Sequence, residues 1–226
     1  MKYRMIGDVM PAVEMTLQPG EKVYTQSGGM AWMSDGFELD SNMRGGLGKS
    51  LARMFTGESV FMASYRATMP DSKIGFAATV PGDILPVDVT TQSGIICQKS
   101  AFLCAEDNVS LNTVFSKKLS TGLFGGEGFI LQELTGSGMA FLEADGDVVE
   151  FELAPGEVMK VDTGNLVAFE KTVDYDIEMI KGLKNMMFGG EGMFLTRMTG
   201  PGKIYVQTMN YMDFAGRIIA MVPSKS

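Results

Sequence analysis

Phe124-Gly125-Gly126-Glu127-Gly128 and Phe188-Gly189-Gly190-Glu191-Gly192 are the same five residues, set at an offset of 64 (Glu127 to Glu191). The register continues, because Thr135-Gly136-Ser137-Gly138 falls on Thr199-Gly200-Pro201-Gly202 at that offset. A fixed period over this length marks an internal repeat, and the repeat governs every local reading. A fainter copy, Phe55-Thr56-Gly57-Glu58-Ser59, stands 69 positions upstream (Glu58 to Glu127). Pro19-Gly20-Glu21, Pro81-Gly82-Asp83 and Pro155-Gly156-Glu157 each precede an apolar run, and Thr25-Gln26-Ser27-Gly28 returns as Thr91-Gln92-Ser93-Gly94. The chain therefore divides into three units, 1–79, 80–153 and 154–226.

Short alternating runs predict strands within each unit. Phe129–Leu134, Val148–Leu153 and Ile204–Thr208 alternate apolar and polar residues, and Asp145-Gly146 reads as a hairpin turn between two strands. Pro-Gly suits a type II turn, since glycine accepts positive φ at the third position. Many short strands punctuated by turns predict a sandwich or barrel. One short helix is expected before each Gly-Glu turn, over 41–55, 112–124 and 177–188. Leu47, Leu51, Met54 and Phe55, then Phe115 and Leu119, then Ile180, Leu183 and Met187 recur there at helical spacing.

Composition narrows the chemistry. The chain has 226 residues, 45% apolar and 20% charged, in the range of globular proteins. It contains no histidine, which removes Ser-His-Asp and Cys-His catalysis, His-bound zinc or iron, and an imidazole pH switch. The net charge of −8 argues against general nucleic-acid binding, which needs clustered Lys and Arg. Cys97 and Cys104 are expected to be two buried thiols, with no cluster to complete a metal site. The 20 methionines read as adaptable core filler, and Trp32 as a core or interface residue. Neither a signal peptide nor an apolar run long enough to span a bilayer is readable, so a cytoplasmic location is expected.

The stretch Leu123-Phe124-Gly125-Gly126-Glu127-Gly128-Phe129 resembles the AIM24 family. So do Ala154-Pro155-Gly156-Glu157, Val161-Asp162-Thr163-Gly164, Val173-Asp174-Tyr175-Asp176-Ile177 and the second Phe-Gly-Gly-Glu-Gly. The resemblance implies an all-β chain of three fused TRAP-like repeats, each a shortened double-stranded β-helix with short helices, set about a pseudo-threefold axis. No transit peptide is readable, so a bacterial or archaeal member is expected, and no cofactor is expected. Eukaryotic members look like mitochondrial inner-membrane proteins concerned with membrane organisation. The likeness of the fold to an RNA-binding protein is analogy only.

Two motifs invite chemistry. Gly45-Gly46-Leu47-Gly48-Lys49-Ser50 ends like a phosphate-binding loop, but Met43 stands where the first glycine is required. Glu58, Glu127 and Glu191 recur between or beside glycines, and three such carboxylates around an axis would suit acid–base work in a hydrolase or isomerase. A turn carboxylate that accepts backbone N–H bonds explains the same pattern without catalysis. The three expected helices hold Arg44, Lys49, Arg53, Lys117, Lys118, Lys181 and Lys184 against the single acid Glu178. That is net +6, leaving −14 on the rest of a chain whose total is −8. A basic end on an acidic body suits an anionic membrane surface or an acidic partner assembly. The reading is a non-enzymatic scaffold or binding protein, peripheral to a membrane or within an assembly, with self-association a further option.

Overall fold

Alternation and turn chemistry generate strands throughout the computed structural model, which describes residues 1–26, 29–40, 62–90, 94–117, 129–179 and 194–222. The first strands are β1 (Lys2–Ile6), β2 (Ala12–Leu17), β3 (Lys22–Gln26), β4 (Met30–Met33), β5 (Phe37–Asp40), β6 (Met62–Ala67) and β7 (Ser72–Ala77). Next come β8 (Gly82–Asp88), β9 (Ile95–Gln98), β10 (Phe102–Glu106), β11 (Val109–Lys117), β12 (Phe129–Gly136) and β13 (Met139–Asp145). The last are β14 (Val148–Leu153), β15 (Val158–Asp162), β16 (Leu166–Glu170), β17 (Asp174–Met179), β18 (Phe194–Thr199) and β19 (Gly202–Gln207). Short 3-10 turns, Lys99–Ala101 and Thr163–Asn165, lead into β10 and β16, and an α-helix, α1 (Tyr211–Met221), follows β19.

The strands form four sheets ordered β1-β2-β7-β4, β5-β6-β3-β10-β13-β8, β11-β12-β9-β16-β19-β14 and β15-β18-β17. One pattern recurs within them. The triplet β2-β7-β4 matches β8-β13-β10 and β14-β19-β16, while β5-β6-β3 matches β11-β12-β9 and β17-β18-β15. The register repeats with it: Phe102 faces Leu142, and 64 residues on Leu166 faces Val206. Each triplet of the first kind carries the same one-residue irregularity, between Met30 and Trp32, Phe102 and Cys104, and Leu166 and Ala168. A bulge increases local twist and re-aims the strand, so its recurrence is a built feature. A side-chain oxygen then accepts the N–H near the start of the central strand. Lys73 N–H donates to Ser34 Oγ at 3.0 Å, Met139 N–H to Glu106 Oε2 at 2.7 Å, and Lys203 N–H to Glu170 Oε2 at 3.0 Å.

The chain separates into two compact units. The first comprises Met1–Thr90, Phe102–Val109 and Gly136–Glu143; the second comprises Thr91–Ala101, Ser110–Thr135 and Ala144–Ser226. In the first, alternation sends Val13, Met15 and Leu17 of β2 inward against Ile74, Phe76 and Phe141, all fully buried. In the second, Phe129, Leu131, Phe169, Met198 and Ile204 make the corresponding core. Fully burying each such side chain contributes roughly 1.5–3 kcal/mol. Polar groups within these cores are bonded, as is Tyr24, whose hydroxyl donates to Val109 O at 2.9 Å. Cys97 and Cys104 are free thiols buried within the strands, as expected.

Several sequence expectations need correction. The expected helix over 112–124 is strand from Asn112 to Lys117, within β11. Phe115 there meets Phe129 and Tyr175 edge-on, with ring centroids 6.2 and 6.0 Å apart. Thr113, Val114 and Phe115 are β-formers, and a neighbouring strand decides the matter. Ile177, Glu178 and Met179, the start of the expected helix over 177–188, likewise belong to β17. The rest of both segments, and all of 41–55, lie outside the described residues. Pro81-Gly82-Asp83 is not a counterpart of the other Pro-Gly turns, because Gly82 opens β8. Gly20 and Gly156, by contrast, have φ of 92° and 78°, as a type II turn requires. Asp145-Gly146 is a turn but not a hairpin, since β13 and β14 enter different sheets.

Candidate functional site

Glu58, Glu127, Glu191, Lys49, Arg53, Lys118, Lys181 and Lys184 lie outside the described residues, and Lys117 is placed only as the last residue of β11. The functional geometry on view is elsewhere. It begins where β19 ends and the chain turns into α1, a helix the strand pattern did not announce.

Asn210 starts that helix. Its side-chain oxygen accepts the N–H of Met212 at 3.0 Å and of Asp213 at 3.3 Å. Asp145 Oδ2 accepts the N–H of Tyr211 at 2.7 Å. Three of the four N–H groups that a helix leaves without an internal partner are thus bonded. Thr208 N–H to Asp147 O, 3.0 Å, and Met209 N–H to Asp145 O, 3.1 Å, hold the approach. Gln207 Nε2 donates to Gly164 O at 3.0 Å and links the same junction to the turn before β16. The start of α1 is therefore anchored at several points to its own unit.

The body of α1 is not covered. No residue in it is buried. At the helical 100° per residue, Tyr211, Met212, Phe214, Ile218, Ile219 and Met221 fall on one broad arc, with Asp213 and Arg217 opposite. The arc that ought to face a core faces solvent instead: Phe214 is 49%, Ile219 70% and Met221 81% exposed. Contiguous apolar surface of this kind marks an interaction site.

Two carboxyls beside the junction are perturbed. Burial pushes Asp145 up, partly offset by its bond from the Tyr211 N–H. Burial also pushes Asp162 up, offset by the Gly164 N–H, with the charge of Asp213 adding to the rise. Asp162 Oδ1 accepts the Gly164 N–H at 2.9 Å. The Asp145 bond holds the first turn of α1, and the Asp162 bond holds the 3-10 turn that leads into β16. Among the described residues, no three His, Cys, Asp or Glu side chains converge as a metal site would need.

A second feature lies on the outer face of the sheet β1-β2-β7-β4. Arg4, Glu14 and Gly75 stand opposite one another across three strands. Glu14 Oε1 accepts from Arg4 Nε at 2.9 Å, and Glu14 Oε2 accepts from the Trp32 indole N–H at 3.1 Å. The Trp32 bond, then Arg4, hold the Glu14 carboxyl below the usual range against its partial burial. The Trp32 indole packs on Gly75, where an added Cβ would come within 2.1–2.6 Å of three ring carbons. The tryptophan is therefore a half-exposed clasp on the sheet, not a core residue.

Comparison with known proteins closes the question of family. The profile of the family described as Mitochondrial biogenesis AIM24 matches residues 3–209. The protein M6_Spy0233 of Streptococcus pyogenes serotype M6 is 30% identical over 224 residues, spanning 96% of this chain and 88% of that one. The crystal structure of protein SPYM3_0169 from Streptococcus pyogenes superposes with a TM-score of 0.80 at 25% identity, covering 98% of this chain and 99% of that one. The match to the profile spans nearly all the repeated strands but stops just short of α1. The chain belongs to the AIM24 family.

Proposed function

We propose that this chain is a non-enzymatic scaffold protein that works at a membrane surface, with α1 as its docking element. The uncovered apolar arc of α1, fixed at its N-terminus by Asn210 and Asp145, is the observation that carries this reading. An amphipathic helix lies in the plane of a bilayer interface with its apolar side chains below the headgroups. Among the described residues no helix is long and apolar enough to cross a membrane, so the contact is peripheral. Lys49, Arg53, Lys117, Lys118, Lys181 and Lys184 are the cations of this reading, attracting anionic headgroups across about a Debye length. Glu58, Glu127 and Glu191 are turn carboxylates in it.

The same proposal takes the chain as three TRAP-like repeats, 1–79, 80–153 and 154–226, about a pseudo-threefold axis in a cytoplasmic protein. The threefold recurrence of strand order, bulge and side-chain bond supports this organisation. Co-sedimentation with anionic vesicles tests the function. The chain is expected to pellet with them at low salt and to be largely released at high salt. Absence of co-sedimentation at low ionic strength overturns the proposal.

A further inference from the structure

The strands β2 and β14 occupy the same place in the repeat. Ala12-Val13-Glu14-Met15-Thr16-Leu17-Gln18-Pro19-Gly20-Glu21 matches Val148-Val149-Glu150-Phe151-Glu152-Leu153-Ala154-Pro155-Gly156-Glu157 position by position. Both end in the same turn, with the Gln18 N–H bonded to Glu21 Oε2 at 2.7 Å and the Ala154 N–H to Glu157 Oε2 at 2.8 Å. Each lies antiparallel beside the central strand of its triplet, β2 on β7 and β14 on β19. Their other edges differ. The edge of β2 is filled by β1, which pairs along its whole length and sets Arg4 opposite Glu14. The third equivalent, β8, is an edge that carries Pro86, a residue that removes an N–H and discourages pairing.

No such device protects β14. It ends its sheet and has no proline, and no described strand pairs with its outer edge. Val149 and Phe151 are each 37% exposed, whereas their counterparts on β2, Val13 and Met15, are fully buried. Glu150 and Glu152, with Asp147 just before it, make the strand acidic. Lys203 takes Glu150 Oε1 from the β19 side at 2.7 Å, and no cation stands on the open side as Arg4 does for Glu14 among the described residues.

We infer that the open edge of β14 receives an antiparallel strand from a partner protein, an extended segment in which apolar residues alternate with Lys or Arg. The internal template is β1, where Tyr3 and Met5 alternate with Lys2 and Arg4. Strand addition supplies backbone hydrogen bonds, the alternate apolar side chains cover Val149 and Phe151, and a cation opposite Glu150 sets the register. A second copy of β14 is a poor occupant, since two acidic strands would face each other.

The test uses the full chain and a fluorescein-labelled peptide with the sequence of residues 1–7, followed by anisotropy. Saturable binding is expected, with exchange protection appearing at the amides of Val149–Leu153. The double charge reversal E150K/E152K, on exposed side chains, should weaken binding by about tenfold or more while leaving the strand signal in circular dichroism unchanged. A peptide carrying Arg4→Glu should fail. Lack of saturable binding, equal binding by E150K/E152K, or protection confined to β2 with release of β1 would each overturn the inference. So would a dimer of the free chain that E150K/E152K abolishes, because β14 would then be taken by itself. Vesicles play no part in this assay, so its failure leaves the membrane reading untouched.

Discussion

Glu106 accepts the backbone N–H of Met139 at 2.7 Å, and 64 residues later Glu170 accepts that of Lys203 at 3.0 Å. The two carboxylates brace the same antiparallel pair, β10 with β13 and β16 with β19, in successive copies of the repeat. Ser34 does the same for Lys73 with a shorter side chain. E106A leaves a partly buried N–H without a partner and should cost about 1–3 kcal/mol in urea unfolding, whereas E106Q, whose amide oxygen still accepts, should cost less. E170A should behave as E106A does.

Trp32 is the chain's only tryptophan, so its fluorescence reports the Glu14 clasp directly. G75A inserts a methyl where the indole rests and should expel the ring. The expected result is red-shifted emission and a lower melting temperature. Glu14 adds a pH dependence of definite sign. Its carboxyl is held below the ordinary value of 4.5, so its contribution is whole above that value and lost as pH falls through the lowered one. E14Q should therefore destabilise the chain at neutral pH and less so in acid.

Asp162 has the opposite sign. Its carboxyl lies above the ordinary value of 3.8, chiefly through burial and in part through Asp213. Its favourable contribution is whole below the ordinary value and lost as pH rises through the raised one. D162N keeps an oxygen for the Gly164 N–H and removes the buried charge. Thermal melts should show D162N gaining on the natural chain as pH rises between those two values, and D213N should lower the Asp162 titration in carboxyl NMR.

The thiols make a further check. Burial pushes Cys97 up to about 12, and Cys104 rises well above its ordinary value through burial and then the nearby Glu143. Only a thiolate attacks disulfide reagents. Both cysteines should ignore Ellman's reagent in the native chain and react when urea unfolds it.

The repeat could be read from the sequence because turns use few residue types. Gly136, Gly138 and Gly202 all take positive φ at the turns that lead from β12 into β13 and from β18 into β19, so Thr-Gly-x-Gly had to recur wherever that turn did. Strands such as β12 and β19 were legible for a similar reason, since alternation is a local signal. The Pro81 turn misled because Pro-Gly is permitted in more than one setting, here an edge strand. Phe115 misled because its spacing to Leu119 fits a helix, while its rings of contact, Phe129 and Tyr175, come from far along the chain. The clasp of Trp32 on Glu14 left no local trace, as it needs β2 and β4 on either side of β7. α1 did leave a trace, Asn210 followed by Met212, Ala215 and Ile219, which strand reading passes over.

The most direct measurement places a reporter on α1 itself. F214W in a W32F background puts the only indole on the apolar arc of the helix. With anionic vesicles its emission should shift to the blue and be quenched by lipids brominated on their acyl chains. Unchanged emission, and no quenching, at vesicle concentrations that saturate a known peripheral protein would contradict the account.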